Sequence, residues 1–315
     1  MGIKGFLKLV EIQTKVASMT PLLLGSVFTC YRYGQFKWTN FFLMLSSLLC
    51  FDMATTAINN YLDYRKAKKT EGFGYEKHNA IVFYKLKESS VLTVIFVLLG
   101  LAIGLGFLLY LKTSPVVLII GAISFAVGIL YTFGPVPISR MPLGELFSGF
   151  FMGFVILFLS VYIHIVGGTL VQITLQKSVL SLNINLMELL ILLLISLPAV
   201  LGISNIMLAN NICDMEEDFE NRRYTLPLYI GKKKSLILYQ SLYYIALIDI
   251  LLLLIFRILP FTAIPVLFTI IPVRKNITLF LKYQSKRDTF PLAIQNFLMV
   301  NISMILFFIL ALFLK

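Results

Sequence analysis

The sequence predicts an all-α integral membrane protein, with nine transmembrane helices around a central cavity and the N-terminus in the cytoplasm. Three observations predict this fold class, and the first is composition. Hydrophobic residues make up 59% of the 315 residues and charged residues only 13%, whereas soluble domains average about 45–50% apolar and roughly 25% charged residues. So few charges cannot cover the surface of a soluble globule, and we expect lipid to cover most of it.

The second observation is a series of long apolar segments. About 20 mostly apolar residues are needed for a helix to cross a hydrocarbon core of about 30 Å. The eighth segment is short and contains three prolines, which membrane helices tolerate where neighbours satisfy the freed backbone groups. The nine predicted spans are 16–34, 38–62, 91–112, 115–133, 143–166, 186–209, 235–256, 258–273 and 291–314.

The third observation is the distribution of basic residues. With the N-terminus inside, 21 of the 27 Lys and Arg residues fall in cytoplasmic segments, as the positive-inside rule requires. Membrane topology thereby accounts for the net charge of +12, and we expect no nucleic-acid partner. The three cysteines lie far apart without a metal-ligand or disulfide pattern. We expect a single domain, 1–315.

The second predicted span ends in a polar stripe. Asn59 and Asp63 lie four residues apart and therefore share one helix face, which Thr56 and Asp52 extend into the membrane. A polar stripe is costly when it faces lipid, so it is expected to face the interior of the bundle. Asp52 is accordingly expected to line the cavity.

The sixth predicted span ends in a second series of oxygen ligands, Asn210, Asp214 and Asp218, at intervals of four residues. Carboxylate and amide oxygens suit Mg²⁺, which usually takes one or two carboxylates together with substrate phosphates. If the two helix ends face each other, they can hold a magnesium–diphosphate unit. Four basic residues adjoin the motifs and are candidates for binding the diphosphate oxygens: Arg65, Lys66, Arg222 and Arg223.

A plainer alternative is a pair of solvated helix ends with mixed charge, and we favour it for Glu216, Glu217 and Glu220. A transporter is another alternative, because nine spans, buried acids and basic loops suit an ion-coupled carrier. A carrier, however, places its ionisable site near the bilayer midplane, whereas these acids gather at predicted cytoplasmic helix ends. A non-catalytic membrane scaffold is a third alternative.

Three stretches of the sequence resemble the UbiA superfamily of intramembrane prenyltransferases. They are Asn59-Asn60-Tyr61-Leu62-Asp63-Tyr64, then 131–137 followed by Leu143-Gly144-Glu145-Leu146, and finally 210–218 followed by Arg223-Tyr224-Thr225-Leu226. The resemblance covers essentially the whole chain. Within the superfamily it is greatest to the members that prenylate 1,4-dihydroxy-2-naphthoate in menaquinone biosynthesis.

The resemblance implies an enzyme that transfers a polyprenyl group from polyprenyl diphosphate to an aromatic acceptor. The implied acceptor is dihydroxynaphthoate, which loses its carboxyl group to give demethylmenaquinone; hydroxybenzoate and homogentisate are alternative acceptors. The implied location is a bacterial cytoplasmic membrane, with the active-site loops on the cytoplasmic side. The implied Mg²⁺ ligands are Asn59, Asp63, Asn210, Asp214 and Asp218. All of them except Asn210 are also the implied catalytic residues.

Three further residues are candidates for a substrate and cation pocket. Tyr61 and Tyr131 are expected to shelter an allylic cation by cation–π contact, although lipid-facing rings are the plain alternative for aromatic residues in such a chain. Glu145 is expected to contact the acceptor or basic loop residues. Its alternative role is that of an acid favoured by the dipole at a helix N-terminus.

The first motif departs from the family pattern in two ways. The family has Asp directly after the leading Asn, where this chain has Asn60. The family also has another acid four to six residues after the position of Asp63, where this chain has Ala67, Lys68 and Lys69, and the next acid is Glu71. The departures leave one or two bound Mg²⁺ ions as alternatives, and Glu71, reaching in from the loop, is the candidate for the missing acid.

Overall fold

A computed structural model describes residues 1–66, 79–134, 137–165, 170–176 and 179–314. Helices dominate the described chain, and one pair of strands accompanies them. The helices are α1 Ile3–Leu9, α2 Val16–Tyr33, α3 Trp38–Lys66, α4 Ala80–Phe83, α5 Glu88–Lys112, α6 Pro115–Thr132, α7 Gly144–Tyr162, α8 Leu186–Cys213, α9 Met215–Glu220, α10 Leu226–Ile230, α11 Lys232–Ile255, α12 Phe261–Lys282 and α13 Phe290–Phe313. The strands are β1 Val171–Gln176 and β2 Val179–Ile184.

Eight of the described helices are long and apolar enough to cross a membrane, namely α3, α5, α6, α7, α8, α11, α12 and α13. They coincide with the second to ninth predicted spans, so the prediction of an all-α membrane protein is confirmed. The first predicted span also forms a helix, α2, but it is not among the eight. Polar residues such as Ser18, Thr20 and Arg32 lower its hydropathy. The count of nine spans and the side of the N-terminus stay predictions.

Two compact units divide the chain, and the first comprises Met1–Met19 and Phe42–Ile138. In this unit α1 and α4 pack near one end of α3 and α5, around a cluster that includes Leu9, Ala57 and Val91. The side chain of Asn79 caps α4 by accepting hydrogen bonds from two backbone N–H groups of its first turn. The Nδ2 of the same side chain donates to the backbone oxygen of Asn60 in α3, and this bond holds the short helix against the end of α3 that carries the first motif.

The second unit comprises Thr20–Phe41 and Ser139–Lys315. Its central helix is α8, which contacts α7, α11 and α13. Helix α7 includes a π-helical stretch, Gly149–Val155, and there it approaches α8 closely. A Cβ atom at Gly153 would lie 2.6 Å from Val200 Cα, so only glycine allows this packing. Small residues commonly permit such close contacts between membrane helices.

The structure corrects the prediction at two places in the second unit. The predicted helices leave 167–185 without a regular element, but β1 and β2 form an antiparallel hairpin there. Its sequence alternates apolar and polar residues with period two, which is the pattern of a strand with one apolar face. Helix α12 extends to Lys282, nine residues past the predicted end of the eighth span, and begins as a 3-10 helix containing Pro265.

Candidate functional site

The first motif lies at the C-terminal end of α3, in the first unit. Asn59 and Asp63 are both exposed there, on the same helix face. Residues 67–78 lie outside the described residues, and Glu71, the next acid after Asp63, is one of them. The side chain of Lys66, predicted to bind diphosphate, also lies outside them. The motif therefore presents an amide and a carboxylate at the accessible end of a long membrane helix.

Asn60, which replaces the acid of the family pattern, is buried and has a structural role. Its Nδ2 donates hydrogen bonds to Leu9 O at 3.0 Å and Glu11 Oε1 at 3.3 Å. Its backbone carbonyl oxygen accepts a hydrogen bond from Asn79 Nδ2 at 2.9 Å. Asn60 thus ties the N-terminal segment and α4 to α3, whereas its neighbour Asn59 is exposed.

Two predicted site residues of the first motif contact an acid that the sequence analysis did not select. The hydroxyl of Tyr61 donates a hydrogen bond to Glu88 Oε1 at 2.6 Å, and Arg65 Nη1 lies 3.2 Å from the same oxygen. Glu88 begins α5. The roles of Tyr61 in the cation pocket and of Arg65 in diphosphate binding stay predictions.

Asp52 takes part in an ion pair two turns before Asn59. Lys15 Nζ lies 2.6 Å from Asp52 Oδ1 and also donates to Thr56 Oγ1 at 2.7 Å. The hydroxyl of Ser18 donates to the other carboxylate oxygen. The Lys15 side chain is 4% exposed and that of Asp52 is 15% exposed. This largely buried pair holds the start of α2 against the helix that carries the first motif.

Tyr131 is another predicted pocket residue of the first unit. It lies in the last turn of α6 and is half-buried. The stretch that follows it is described except for residues 135 and 136. Its predicted role as a shelter for an allylic cation stays a prediction.

The second motif lies at the junction of α8 and α9, in the second unit. Asp214 is buried and directly follows the last residue of α8, and its N–H donates to Asn210 O at 3.1 Å. Its carboxylate forms an ion pair with Lys286, which lies in the loop before α13. The Lys286 side chain is half exposed, so one face of this pair is open to solvent. Asn210 itself is half-buried.

Asp218, one turn further, is the most buried acid of the second motif. Its Oδ1 lies 3.3 Å from Arg223 Nε, and its Oδ2 accepts a hydrogen bond from Thr225 Oγ1 at 3.0 Å. Burial raises the pKa of this carboxyl group above its usual value, although Arg223 and Thr225 act in the opposite direction. Arg222 is exposed, with a left-handed backbone at φ 54° that turns the chain back toward Asp218.

Glu145 contacts the second motif through a residue that the sequence analysis did not select. It lies in the first turn of α7 and is buried. Asn211 Nδ2 donates to its Oε1 at 2.8 Å, while its Oε2 has no hydrogen-bond partner among the described residues. Ser204 donates to its backbone oxygen at 3.0 Å. These bonds fix the start of α7 against the end of α8.

The structure also shows which ligand types the second unit offers. Within the described part of the chain, no three acidic, histidine or cysteine side chains gather as a metal site. Asp214 and Asp218 form a pair of carboxylates in successive turns, each matched by one cation. A pair fits Mg²⁺, because this ion usually keeps several waters and takes the remaining oxygens from its substrate.

Sequence reasoning missed the partners of the predicted residues. Each of these partners lies between 27 and 72 residues along the chain from the predicted residue that it contacts. The pairs are Glu88 with Tyr61, Lys15 with Asp52, Asn211 with Glu145, and Lys286 with Asp214. No signal in the sequence points to these contacts, because Lys15 lies just before the first predicted span and is counted there among the cytoplasmic basic residues.

The fold and the two motifs define a polytopic α-helical membrane protein with polar, oxygen-rich helix ends. The family model of the UbiA prenyltransferase family matches residues 18–313. The chain belongs to this family, and is therefore a membrane prenyltransferase.

Relatives and solved structures agree with this assignment. The chain is 33% identical over 242 residues to the 1,4-dihydroxy-2-naphthoate octaprenyltransferase of Bacillus subtilis strain 168, a match that covers 76% of this chain and 70% of that protein. A UbiA homologue from Aeropyrum pernix K1 superposes with a TM-score of 0.70 at 16% identity, over 94% of this chain and 98% of that one.

A UbiA homologue from Archaeoglobus fulgidus, solved with DMAPP and Mg²⁺ bound, superposes with a TM-score of 0.53 at 12% identity. That match covers 96% of this chain and 86% of the other. At such identities the two solved structures support the fold alone.

Proposed function

We propose that this enzyme transfers a polyprenyl group from polyprenyl diphosphate to 1,4-dihydroxy-2-naphthoate, with loss of the acceptor's carboxyl group. The observation that carries the proposal is the 33% identity to the Bacillus subtilis dihydroxynaphthoate octaprenyltransferase over three quarters of the chain. The conversion leads to demethylmenaquinone by way of its reduced form. We propose a bacterial cytoplasmic membrane as its location, with the motifs on the cytoplasmic side.

The two motifs are proposed to bind the metal and the diphosphate. Mg²⁺ polarises the diphosphate and stabilises it as a leaving group when it is bound. The proposed ligands are Asn59 and Asp63 of the first motif and Asn210, Asp214 and Asp218 of the second. The carboxylate and amide oxygens of this set are the ligands that the ion prefers.

The basic residues beside these acids are proposed to exchange partners when the donor binds. Arg223 and Lys286 neutralise Asp218 and Asp214 in the structure. A divalent cation at the carboxylates would leave each basic side chain free to bind a phosphate oxygen by a charge-assisted hydrogen bond. Arg65, Lys66 and Arg222 are proposed to contribute positive charge in the same way.

The proposed reaction breaks the bond between the first prenyl carbon and the diphosphate oxygen, and the diphosphate leaves with the electron pair. The electron-rich ring carbon that bears the carboxylate then forms a bond to that prenyl carbon. The ring regains aromaticity when the carboxyl group departs as CO₂ and leaves its bonding pair in the ring. We assign Tyr61, Tyr131, Glu145 and Asp52 to the surroundings of the cation and the acceptor.

A direct assay tests the proposal. The purified protein in lipid nanodiscs is given dihydroxynaphthoate, Mg²⁺ and prenyl diphosphates of several chain lengths, and both diphosphate release and product mass are measured. We expect a prenylated product that lacks the carboxyl group. The same assay with hydroxybenzoate and with homogentisate is the control. A product from either of these, with none from dihydroxynaphthoate, refutes the assigned acceptor while keeping the prenyltransferase assignment.

A further inference from the structure

The hairpin of the second unit has one apolar and one polar face. Residues directly opposite each other in an antiparallel pair lie on the same face, and the register pairs Val171 with Ile184 and Ile173 with Leu182. These four positions make up an apolar face. The alternate pairs, Gln172 with Asn183 and Thr174 with Ser181, make up the polar face.

The apolar face of the hairpin is open. Leu182 is 59% exposed and Ile184 is 43% exposed, although each is large and apolar. Such residues gain about 25 cal/mol for each Å² that leaves water. A hairpin that has its polar face also exposed, as at Ser181 and Asn183, suits a boundary between an apolar and an aqueous phase.

The open face continues directly into the surface of a membrane helix. Two residues after Ile184, the chain enters α8 at Leu186, which is 73% exposed. Met187 and Leu190 in the same turns of α8 are also exposed. Because α8 is long and apolar enough to cross a membrane, this exposed surface is the one that contacts lipid, and the hairpin extends it.

The end of α7 places the hairpin at the level of the membrane surface. The hydroxyl of Tyr162, the last residue of α7, donates to Val171 O at 3.1 Å. The next residue, Ile163, accepts a hydrogen bond through its carbonyl oxygen from Asn40 Nδ2 at 2.7 Å. Two residues before Asn40 lies Trp38, which is 66% exposed, and exposed tryptophans of membrane proteins concentrate at the headgroup level.

We propose that the hairpin Val171–Ile184 is an interfacial element that lies flat on the bilayer, with its apolar face among the phospholipid chains and its polar face in water. Amphipathic helices at membranes bury an apolar face about 5–10 Å into the headgroup and acyl boundary, and the hairpin does so with strands. Since α8 runs from the hairpin to the second motif, the hairpin contacts the leaflet opposite that motif.

Neighbouring positions on the two faces provide a matched test. The chain has a single tryptophan, so Trp38→Phe gives a silent background for fluorescence. Into this background either Leu182→Trp or Asn183→Trp is introduced, and each protein is reconstituted in phosphatidylcholine vesicles. Lipids brominated near the headgroup end of their chains quench a tryptophan inside the bilayer, and acrylamide in the buffer quenches one in water.

At the interfacial depth of about 5–10 Å, we expect brominated lipid to lower the emission of the Leu182→Trp protein by roughly two-fold or more. The Asn183→Trp protein should respond mainly to acrylamide. Equal responses of the two proteins, or stronger lipid quenching at 183, overturn the proposal. Protection of position 182 from both quenchers also overturns it, because a second copy of the chain would then cover the face. If Leu182→Trp does not fold, Ile184→Trp takes its place.

Discussion

Replacement of Lys15 by methionine should destabilise the first unit strongly. The Lys15 ammonium contacts the Asp52 carboxylate at 2.6 Å, Thr56 Oγ1 at 2.7 Å and the Asp52 backbone oxygen at 3.2 Å. Methionine has nearly the same length but leaves the carboxylate with the Ser18 hydroxyl as its only hydrogen-bond donor among the described residues. Breaking a buried ion pair by removing one partner costs about 3–5 kcal/mol.

The second variant of this experiment separates a charge effect from a loss of packing. In Lys15→Met/Asp52→Leu the uncompensated carboxylate is gone, and replacing a whole buried ion pair by apolar residues is often close to neutral. We therefore expect the double variant to regain most of the lost stability. Lys4→Met, at an exposed position of α1, is the matched control and should change stability little.

Reversible unfolding in mixed micelles of increasing SDS content measures these differences. The reasoning is refuted if Lys15→Met loses less than about 1 kcal/mol, the typical range for an exposed ion pair. It is equally refuted if the double variant is less stable than the single variant, because packing rather than charge would then hold the two segments together.

Three further predictions concern the second unit. Lys286→Met should raise the KM for prenyl diphosphate several-fold in steady-state kinetics while Lys286→Arg retains it, since the cation beside Asp214 is proposed to bind a phosphate oxygen; equal KM values in all proteins contradict this. Gly153→Ala should lower the free energy of unfolding by about 1–3 kcal/mol through overpacking, whereas Gly100→Ala, with nothing within 4 Å of the new Cβ, should not; equal effects in the same SDS titration refute the packing argument. Burial and Lys37 lower the pKa of His164 to about 4, so the neutral imidazole contributes its full share to the free energy of unfolding above the unfolded pKa of about 6.5. As the pH drops from there to about 4, the free energy of unfolding should fall by up to about 3 kcal/mol. His164→Gln should remove this pH dependence, and an unchanged pH profile of unfolding contradicts the prediction.

Most of the helices were predictable because composition and apolar length decide them. The spans from α3 onward need no knowledge of their neighbours, since the bilayer requires helices wherever about 20 apolar residues follow one another. The hairpin was missed because only every second residue of its strands belongs to the apolar face. A search for continuous apolar segments does not detect such a pattern. Its β-branched residues and the alternation of apolar and polar residues over 171–176 and 180–184 were the available signal.

The motif residues were predictable, but the contacts that position them were not. Spacing alone places Asn59 and Asp63, or Asp214 and Asp218, on successive turns near a helix end. It cannot pair Asp214 with Lys286, which lies 72 residues away, because such a contact depends on tertiary packing. Nor could it show that Asn60 is buried beside the exposed Asn59, because that burial arises only when the N-terminal segment packs on α3.

Both motifs are proposed to serve one metal-assisted departure of diphosphate, and release of diphosphate from a prenyl donor measures this most directly. The parent, Asp63→Asn and Asp214→Asn proteins are compared with saturating acceptor over a series of Mg²⁺ concentrations. Because electrostatic stabilisation of a developing charge is worth several kcal/mol, we predict that each substitution slows release by roughly a hundred-fold or more and that chelation of Mg²⁺ abolishes it in the parent. Parent-like release by either variant, or release that persists after chelation, contradicts the account.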